Sequence, residues 1–299
     1  MADAVGREVG GERAESTADD VQSQWIYGSD TYGAATTDAQ TTFAVDWLEQ
    51  QALHPFIRET GQRALRLLGL QPGASVLEVG CGTGVFLPAL ATAVGPSGRI
   101  VGLDHSSPLL DEARARVERL GLADQIELVQ GDAQALPFED GQFDAAHCER
   151  VLMHLEDPSR AIREMARVVR QGGRVVAAEI AARNAGIIHP DHELERRLGA
   201  MLVSGIRHGW MGVELRQRFG DAGLVETRGE AVTDFEDAFD PDEGEEYRKV
   251  ASEFPNADDR GRAIAMVDEM LELSARGLHC GYATMFIVRG SVPERDSAT

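Results

Sequence analysis

Between residues 75 and 180, five short apolar runs alternate with helix-patterned segments, and this alternation constrains the fold more than any other feature of the chain. The runs are Ser75–Val79, Ile100–Leu103, Ile126–Val129, Phe143–Ala146 and Val175–Ala178. Each is continuously apolar rather than alternating, which is the pattern of a strand buried on both faces. Between the second and third runs, Leu110, Ala113, Val117 and Leu120 recur at helical spacing behind Ser107 and Pro108, read as cap and first helical residue. Ile162, Met165 and Val169 do the same ahead of the fifth run. Strands separated by helices predict a parallel sheet covered on both faces, a doubly wound α/β fold.

The rest of the chain is organised around that unit. Residues 1–22 are rich in Gly, Ala, Asp and Glu without apolar periodicity and read as a disordered leader. Residues 23–69 read as an N-terminal helical cover: aromatics from Trp25 to Trp47, then a helix from about Pro55 that stops at Gly69. The main domain is expected over 70–290, with a helical lid inserted at 181–212, an acidic and helical insertion at 234–280, and a tail at 291–299. Leu224–Thr233 and Ala283–Arg289 read as two further strands.

Charge narrows the partners. The 299 residues carry 29 basic and 50 acidic side chains, a net charge of −21, and such a surface repels phosphate backbones and anionic lipid. No nucleic-acid and no membrane partner is expected, and no apolar run reaches the roughly 20 residues of a membrane helix. Cys81, Cys148 and Cys280 are too few and too scattered for a disulfide framework, which fits a reducing, cytoplasmic setting. The run Asp234 to Glu246 reads as a solvated acidic surface. No metal-ligand spacing is present.

The most specific stretch is Val76-Leu77-Glu78-Val79-Gly80-Cys81-Gly82-Thr83-Gly84, a strand running into a glycine-rich turn and then a helix over Val85–Val94. Glycines there permit a sharp turn and the close approach of a ligand. Asp104 ends the second strand, where an acid can accept both ribose hydroxyls of a nucleoside. Gly131-Asp132-Ala133 follows the third strand, where a carboxylate can accept from an exocyclic amine. The strand ends therefore converge on one crevice. Glu78 either accepts backbone N–H groups of the loop or contacts a ligand's amino group. Cys81 reads as a small packing residue.

These residues resemble a known family: the class I S-adenosylmethionine-dependent methyltransferases, in the small-molecule branch related to the ubiquinone and menaquinone methyltransferases. The resemblance covers roughly residues 60–290. It rests on Glu78-x-Gly80-x-Gly82-x-Gly84, Asp104 with His105, Gly131-Asp132-Ala133, Phe143-Asp144, and Val168-Val169-Arg170-Gln171-Gly172-Gly173. Gln171 stands where a proline is common, and His105 follows the ribose acid. The resemblance implies a mostly parallel, seven-stranded, Rossmann-like sheet whose last two strands form an antiparallel edge, with S-adenosylmethionine as cofactor. Glu78, Gly80, Cys81, Gly82 and Gly84 would border the methionine moiety, Asp104 and His105 the ribose, Asp132 and Ala133 the adenine, and Glu149 the end of the fourth strand beside the methyl group.

Methyl transfer from a sulfonium needs donor and acceptor in line, and a base only if the acceptor must lose a proton. His154, in Leu152-Met153-His154-Leu155, stands where the resemblance places a base in some relatives; the alternative is a structural histidine. Glu179 ends the fifth strand and is expected either to orient the acceptor or assist the base, or to be a solvated strand-end acid. His189, His192 and His208 fall in the lid. Cys148-Glu149-Arg150-Val151 lacks the Asn/Asp-Pro-Pro-aromatic loop of adenine amino-methylases. A small-molecule acceptor is expected, and Met153, Ile187, Ile188, Met201, Leu202, Trp210 and Met211 suggest that it is partly apolar. A nicotinamide dehydrogenase shares the turn and the strand-two acid but does not explain Gly131-Asp132-Ala133. A non-catalytic cofactor-binding sensor or partner subunit is the other alternative. The oligomeric state is open, a homodimer included.

Overall fold

The computed structural model describes residues 38–187, 189–236, 238–239 and 241–294. The leader, Trp25, Tyr27, Tyr32, Ile188 and the last residues of the tail lie outside the described residues. Two helices come first, α1 (Asp38–Leu53) and α2 (Pro55–Leu68). Pro55 opens α2 at a position whose N–H needs no partner. Gly69 closes it in the left-handed region (φ 57), its N–H returning to the Leu65 carbonyl at 3.2 Å.

The expected alternation then follows: β1 (Ser75–Val79), α3 (Leu87–Val94), β2 (Arg99–Asp104), α4 (Ser107–Arg119), β3 (Ile126–Gln130), β4 (Phe143–Glu149), α5 (Pro158–Val168) and β5 (Val169–Ile180). The helix read from Val85 begins two residues later at Leu87, and Ser106 rather than Ser107 stands at the cap of α4, with no side-chain cap bond. Strands β3, β2, β1, β4 and β5 lie side by side in that order, all parallel. This crossover at β1 and β4 leaves a crevice beyond the carboxyl ends of the strands, the place where such sheets bind ligands.

The chain continues through β6 (Gly186–Ile187), α6 (His192–Leu202), α7 (Met211–Asp221), β7 (Val225–Glu236), α8 (Pro241–Ser252), α9 (Ala257–Ala275) and β8 (Gly281–Ser291). β8 pairs antiparallel with β5 on one side and with β7 on the other, which forms the antiparallel edge. The seven expected strands are present, and the two-residue β6 joins β8 beyond the end of β5. Because β8 runs past β5 as far as Gly281, its first residues and the last of β7 project over the crevice end of the sheet.

Two cores flank the sheet. Leu77, Val79, Cys148 and Ala177 face one way, against α5 and α7; Val76, Ala145, Val176 and Ala178 face the other, against α2, α3 and α4. A third core is separate. Leu194, Leu198 and Leu202 of α6 pack with Ala251 and Phe254 around α8 and with Ala263, Met266, Val267 and Met270 of α9. The segments 181–212 and 234–280, remote in sequence, thus share one apolar interior. Among the described residues, no helix is long and apolar enough to cross a membrane.

Candidate active site

The β1–α3 turn is held in the left-handed backbone region that glycine enters without strain. Gly80, Gly82 and Gly84 have φ of 70°, 52° and 75°. A Cβ on Gly80 would lie 2.3 Å from Cγ2 of Val151, so the turn fits directly under the loop that follows β4. The Gly80 and Cys81 N–H groups donate to the Leu103 carbonyl at 2.7 and 3.0 Å, which locks the turn to the end of β2. Cys81 is buried and its sulfur faces Gly102, consistent with the packing role; burial and the nearby Asp104 push its thiol well above the usual range.

Asp104 is buried beneath this turn. Its Oδ2 accepts from the Gly82 N–H at 2.8 Å and its Oδ1 from the Ser106 N–H at 2.9 Å. A carboxylate has about four lone-pair sites, so both oxygens retain capacity for a diol. His105 lies beside it, Nδ1 3.4 Å from Asp104 Oδ1, and the hydrogen bond with Asp104 raises its pKa. The third strand end follows. Gly131 donates to the Asp104 carbonyl at 3.0 Å, Asp132 is exposed and accepts from the Gln134 N–H at 2.8 Å, and Ala133 is buried behind it. Asp132 is near enough to His105 for its charge to raise the imidazole pKa further.

Between β1 and β4 lies a buried ion-pairing couple. Glu78 and His147 are register partners on adjacent strands. Nδ1 of His147 donates to Glu78 Oε2 at 2.8 Å, and the ring rests on Phe86 with centroids 4.7 Å apart. The partner of Glu78 is therefore a side chain, not the loop N–H groups. His147 and Glu149 share a strand face, and Arg150 follows in the left-handed region (φ 55), its Nε 3.5 Å from Glu149 and its guanidinium over the Trp47 ring. A non-glycine residue in that conformation marks a constrained position.

A cavity of about 340 Å³ opens over these groups, lined by Glu78, Gly82, Phe86 and Glu149 on the sheet side and by Leu48 and Arg58 on the helical side. Helix α1 is fastened above it: Thr83 Oγ1 donates to Glu49 Oε1 at 2.9 Å, and Arg116 of α4 pairs with the same carboxylate.

The expected catalytic pair is separated by the loop after β4. Glu179 is fully buried, so it is not the solvated strand-end acid that its position suggests. Its Oε1 accepts from the Val151 and Leu152 N–H groups at 2.9 and 2.7 Å, while Oε2 is buried with no hydrogen-bond partner among the described residues. Burial raises its pKa to about 7, against the pull of those N–H donors. His154 ends the short 3₁₀ turn Leu152–His154 that Glu179 holds. Burial, with the charges of Arg150 and His105 nearby, depresses its pKa to about 4, so its imidazole is neutral at physiological pH.

Of the three histidines expected in a lid, His208 lies against the loop that carries His154, whereas His189 faces α9 and His192 faces solvent. His208 Nε2 donates to the Leu155 carbonyl at 3.0 Å, His189 pairs with Glu269 at 3.3 Å, and His192 is exposed at the start of α6. The residues read as an apolar mouth are divided between interiors. Met153 and Met211 belong to the sheet core, Leu202 and Met201 to the third core, and Trp210 is 45% exposed. His147 and Glu49 are site groups that the sequence reading did not identify, whereas Arg150 is among the residues expected to follow the fourth strand beside the methyl group. Among the described residues, no group of three or more His, Cys, Asp or Glu side chains is placed to hold a metal.

The acceptors fit a nucleoside bearing cationic sulfur and an amino-acid tail: carboxylates at Glu78, Asp104, Asp132 and Glu149, beside a glycine turn with no room for a Cβ at Gly80. Comparison with known proteins agrees. Residues 77–177 match the family model described as methyltransferase domain. An uncharacterized 37.1 kDa protein in a transposon of Streptomyces fradiae is 39% identical over 182 residues, 60% of this chain and 52% of that protein. A demethylmenaquinone methyltransferase of Bacillus cytotoxicus is 41% identical over 118 residues, 40% of this chain and 49% of the enzyme. The chain thus spans about half the length of these curated relatives. The YcgJ protein of Bacillus subtilis superposes with a TM-score of 0.55 at 20% identity, over 80% of this chain and 100% of that one. Phosphoethanolamine N-methyltransferase 2 of Haemonchus contortus, in complex with phosphomonomethylethanolamine and S-adenosylhomocysteine, gives 0.51 at 16% identity, over 95% of this chain and 59% of that one. At these identities the two structures speak for the fold.

Proposed function

The chain carries a methyltransferase domain of the class I S-adenosylmethionine-dependent family, and from that premise we propose that it transfers a methyl group from S-adenosylmethionine to a small-molecule acceptor. The observation that carries this reading is the convergence of Glu78, Asp104 and Glu149 on one glycine turn at the carboxyl ends of β1, β2 and β4. The cofactor, when bound, supplies an electrophilic methyl group on a sulfonium. Glu78 would hold the α-ammonium, Asp104 the ribose hydroxyls and Asp132 the adenine amine, with Ala133 against the ring. A small acceptor is supported by the net charge of −21, which opposes nucleic acid, and by a relative whose acceptor is demethylmenaquinone.

His154 is proposed as the residue that orients the acceptor. A neutral imidazole with a pKa of about 4 accepts a hydrogen bond from a hydroxyl or amine, but it is a weak base, since general bases work best with a pKa near the working pH. Glu179 acts through that turn: by binding the Val151 and Leu152 N–H groups it fixes where His154 and Arg150 stand, which makes it a positioning residue.

The test is transfer of label from methyl-labelled donor to a metabolite extract, with Asp104→Ala as control. Labelled small molecule formed by the wild type and lost in the control is the expected result. Cofactor binding by calorimetry without transfer would favour a non-catalytic sensor. Binding of a nicotinamide dinucleotide in place of S-adenosylhomocysteine would overturn the assignment.

A further inference from the structure

His147 has no part in the function proposed so far, yet it occupies a place where an apolar side chain would serve the fold better. It is fully buried, flanked by Val176 on β5 and capped by the Phe86 ring. Its Nε2 is buried with no hydrogen-bond partner among the described residues. A buried nitrogen left unsatisfied destabilises the fold, and such costs are retained where a group has a task. What His147 does satisfy is Glu78, which lines the cavity.

We propose that His147 is a positioning residue for cofactor binding, holding the Glu78 carboxylate aimed into the cavity so that it can receive the cofactor's α-ammonium group. The proposal rests on the cofactor reading above and deepens it. Burial alone drives Glu78 towards the neutral acid, which would take a cation poorly; the charge and hydrogen bond of His147 oppose that drift. The groups facing the imidazole all favour its supporting role: Glu78 from β1, Glu149 from its own strand, Glu179 from β5, and an uncharged ring from the β1–α3 turn. Phe86 fixes the ring in turn. It packs so closely on α2 that a Cβ at Gly61 would stand 3.0 Å from Cε2. A chain of contacts therefore runs from α2 through Phe86 and His147 to Glu78.

The experiment pairs a change in the protein with a change in the ligand. Calorimetry measures S-adenosylhomocysteine, and its analogue with hydrogen in place of the α-amino group, against wild type, His147→Phe and His147→Asn. Phenylalanine keeps an aromatic ring to stack on Phe86 at the cost of a slightly larger volume; asparagine puts an amide donor near the place of Nδ1. His147→Phe should bind S-adenosylhomocysteine about tenfold or more weakly, as expected for a lost hydrogen bond to a charged group, and the analogue with less than about a twofold change. His147→Asn should recover most of the loss. If the phenylalanine variant does not fold, as judged by circular dichroism, His147→Gln takes its place, since its donor lies near Nε2. Equal weakening of both ligands, or of neither, would reduce His147 to a packing residue and overturn the proposal. Equal affinity of the wild type for both ligands would also overturn it, by removing the ammonium from Glu78. Failure of the folded wild type to bind either ligand would instead sink the cofactor reading.

Discussion

His154 and Glu179 meet at one loop, and burial moves their protons in opposite directions with the same result: the imidazole gives its proton up, the carboxyl tends to keep one, and each loses its charge. Nuclear magnetic resonance titration of His154 should place its pKa near 4; a value near 6.5 would remove the buried neutral acceptor on which the proposed role depends. For Glu179 the sign works against stability at higher pH. Its folded pKa of about 7 exceeds the ordinary 4.5, so its contribution is complete below pH 4.5 and is lost as pH rises through about 7. The loss is about 3 kcal/mol for a fully buried group. Glu179→Gln should therefore gain stability relative to wild type between pH 5 and 8 in urea unfolding, and a difference that stays flat with pH would contradict the assignment. The carboxylates of the site were legible one residue at a time, because Glu78, Asp104 and Asp132 each end or border a recognisable strand. His147 was not. A histidine within an apolar run carries no signal until strand register sets it beside Glu78, 69 positions away.

Elements matter here through how closely they approach. Gly80 sits under Val151 at a distance that leaves no room for a methyl group, and its φ of 70° already excludes most side chains. Gly80→Ala should cost about 1–3 kcal/mol in stability and weaken S-adenosylhomocysteine binding further by lifting the loop after β4. Unchanged binding and stability would show that this loop yields freely. Helix α1 is held to the glycine turn by Glu49, through Thr83 and Arg116. Glu49→Ala should speed ligand dissociation in stopped-flow measurements several-fold with little loss of overall stability, because a partly exposed ion pair is worth about 1 kcal/mol or less. If the dissociation rate does not change, α1 is not a cover. The sequence expected helical cover in this region from its aromatics, but the fastening belongs to an acid whose partners lie 34 and 67 positions further on. Only folding brings such partners together.

At the scale of the whole molecule, 50 acidic residues against 29 basic ones leave an excess that the surface ion pairs do not absorb. Moderate salt screens charges beyond about 10 Å at 0.1 M, so the thermal midpoint should rise with sodium chloride as repulsion is relieved. A falling midpoint would mean that the arginine–carboxylate pairs outweigh the repulsion. The parallel sheet was visible in the sequence because strand runs and glycine turns are local, while the antiparallel edge was implied only by the family resemblance. The third core was not: α6 shows a helical stripe, but the surface it covers comes from helices about 40 to 70 residues later. That shared interior has a consequence for how such a protein can be altered. Helices α6, α8 and α9 are in effect one part threaded through the chain twice. A hybrid that takes only one of the two segments from a relative inherits half of an interface and leaves Leu198 or Met266 facing water, so recombination that changes what enters the crevice must exchange both segments together.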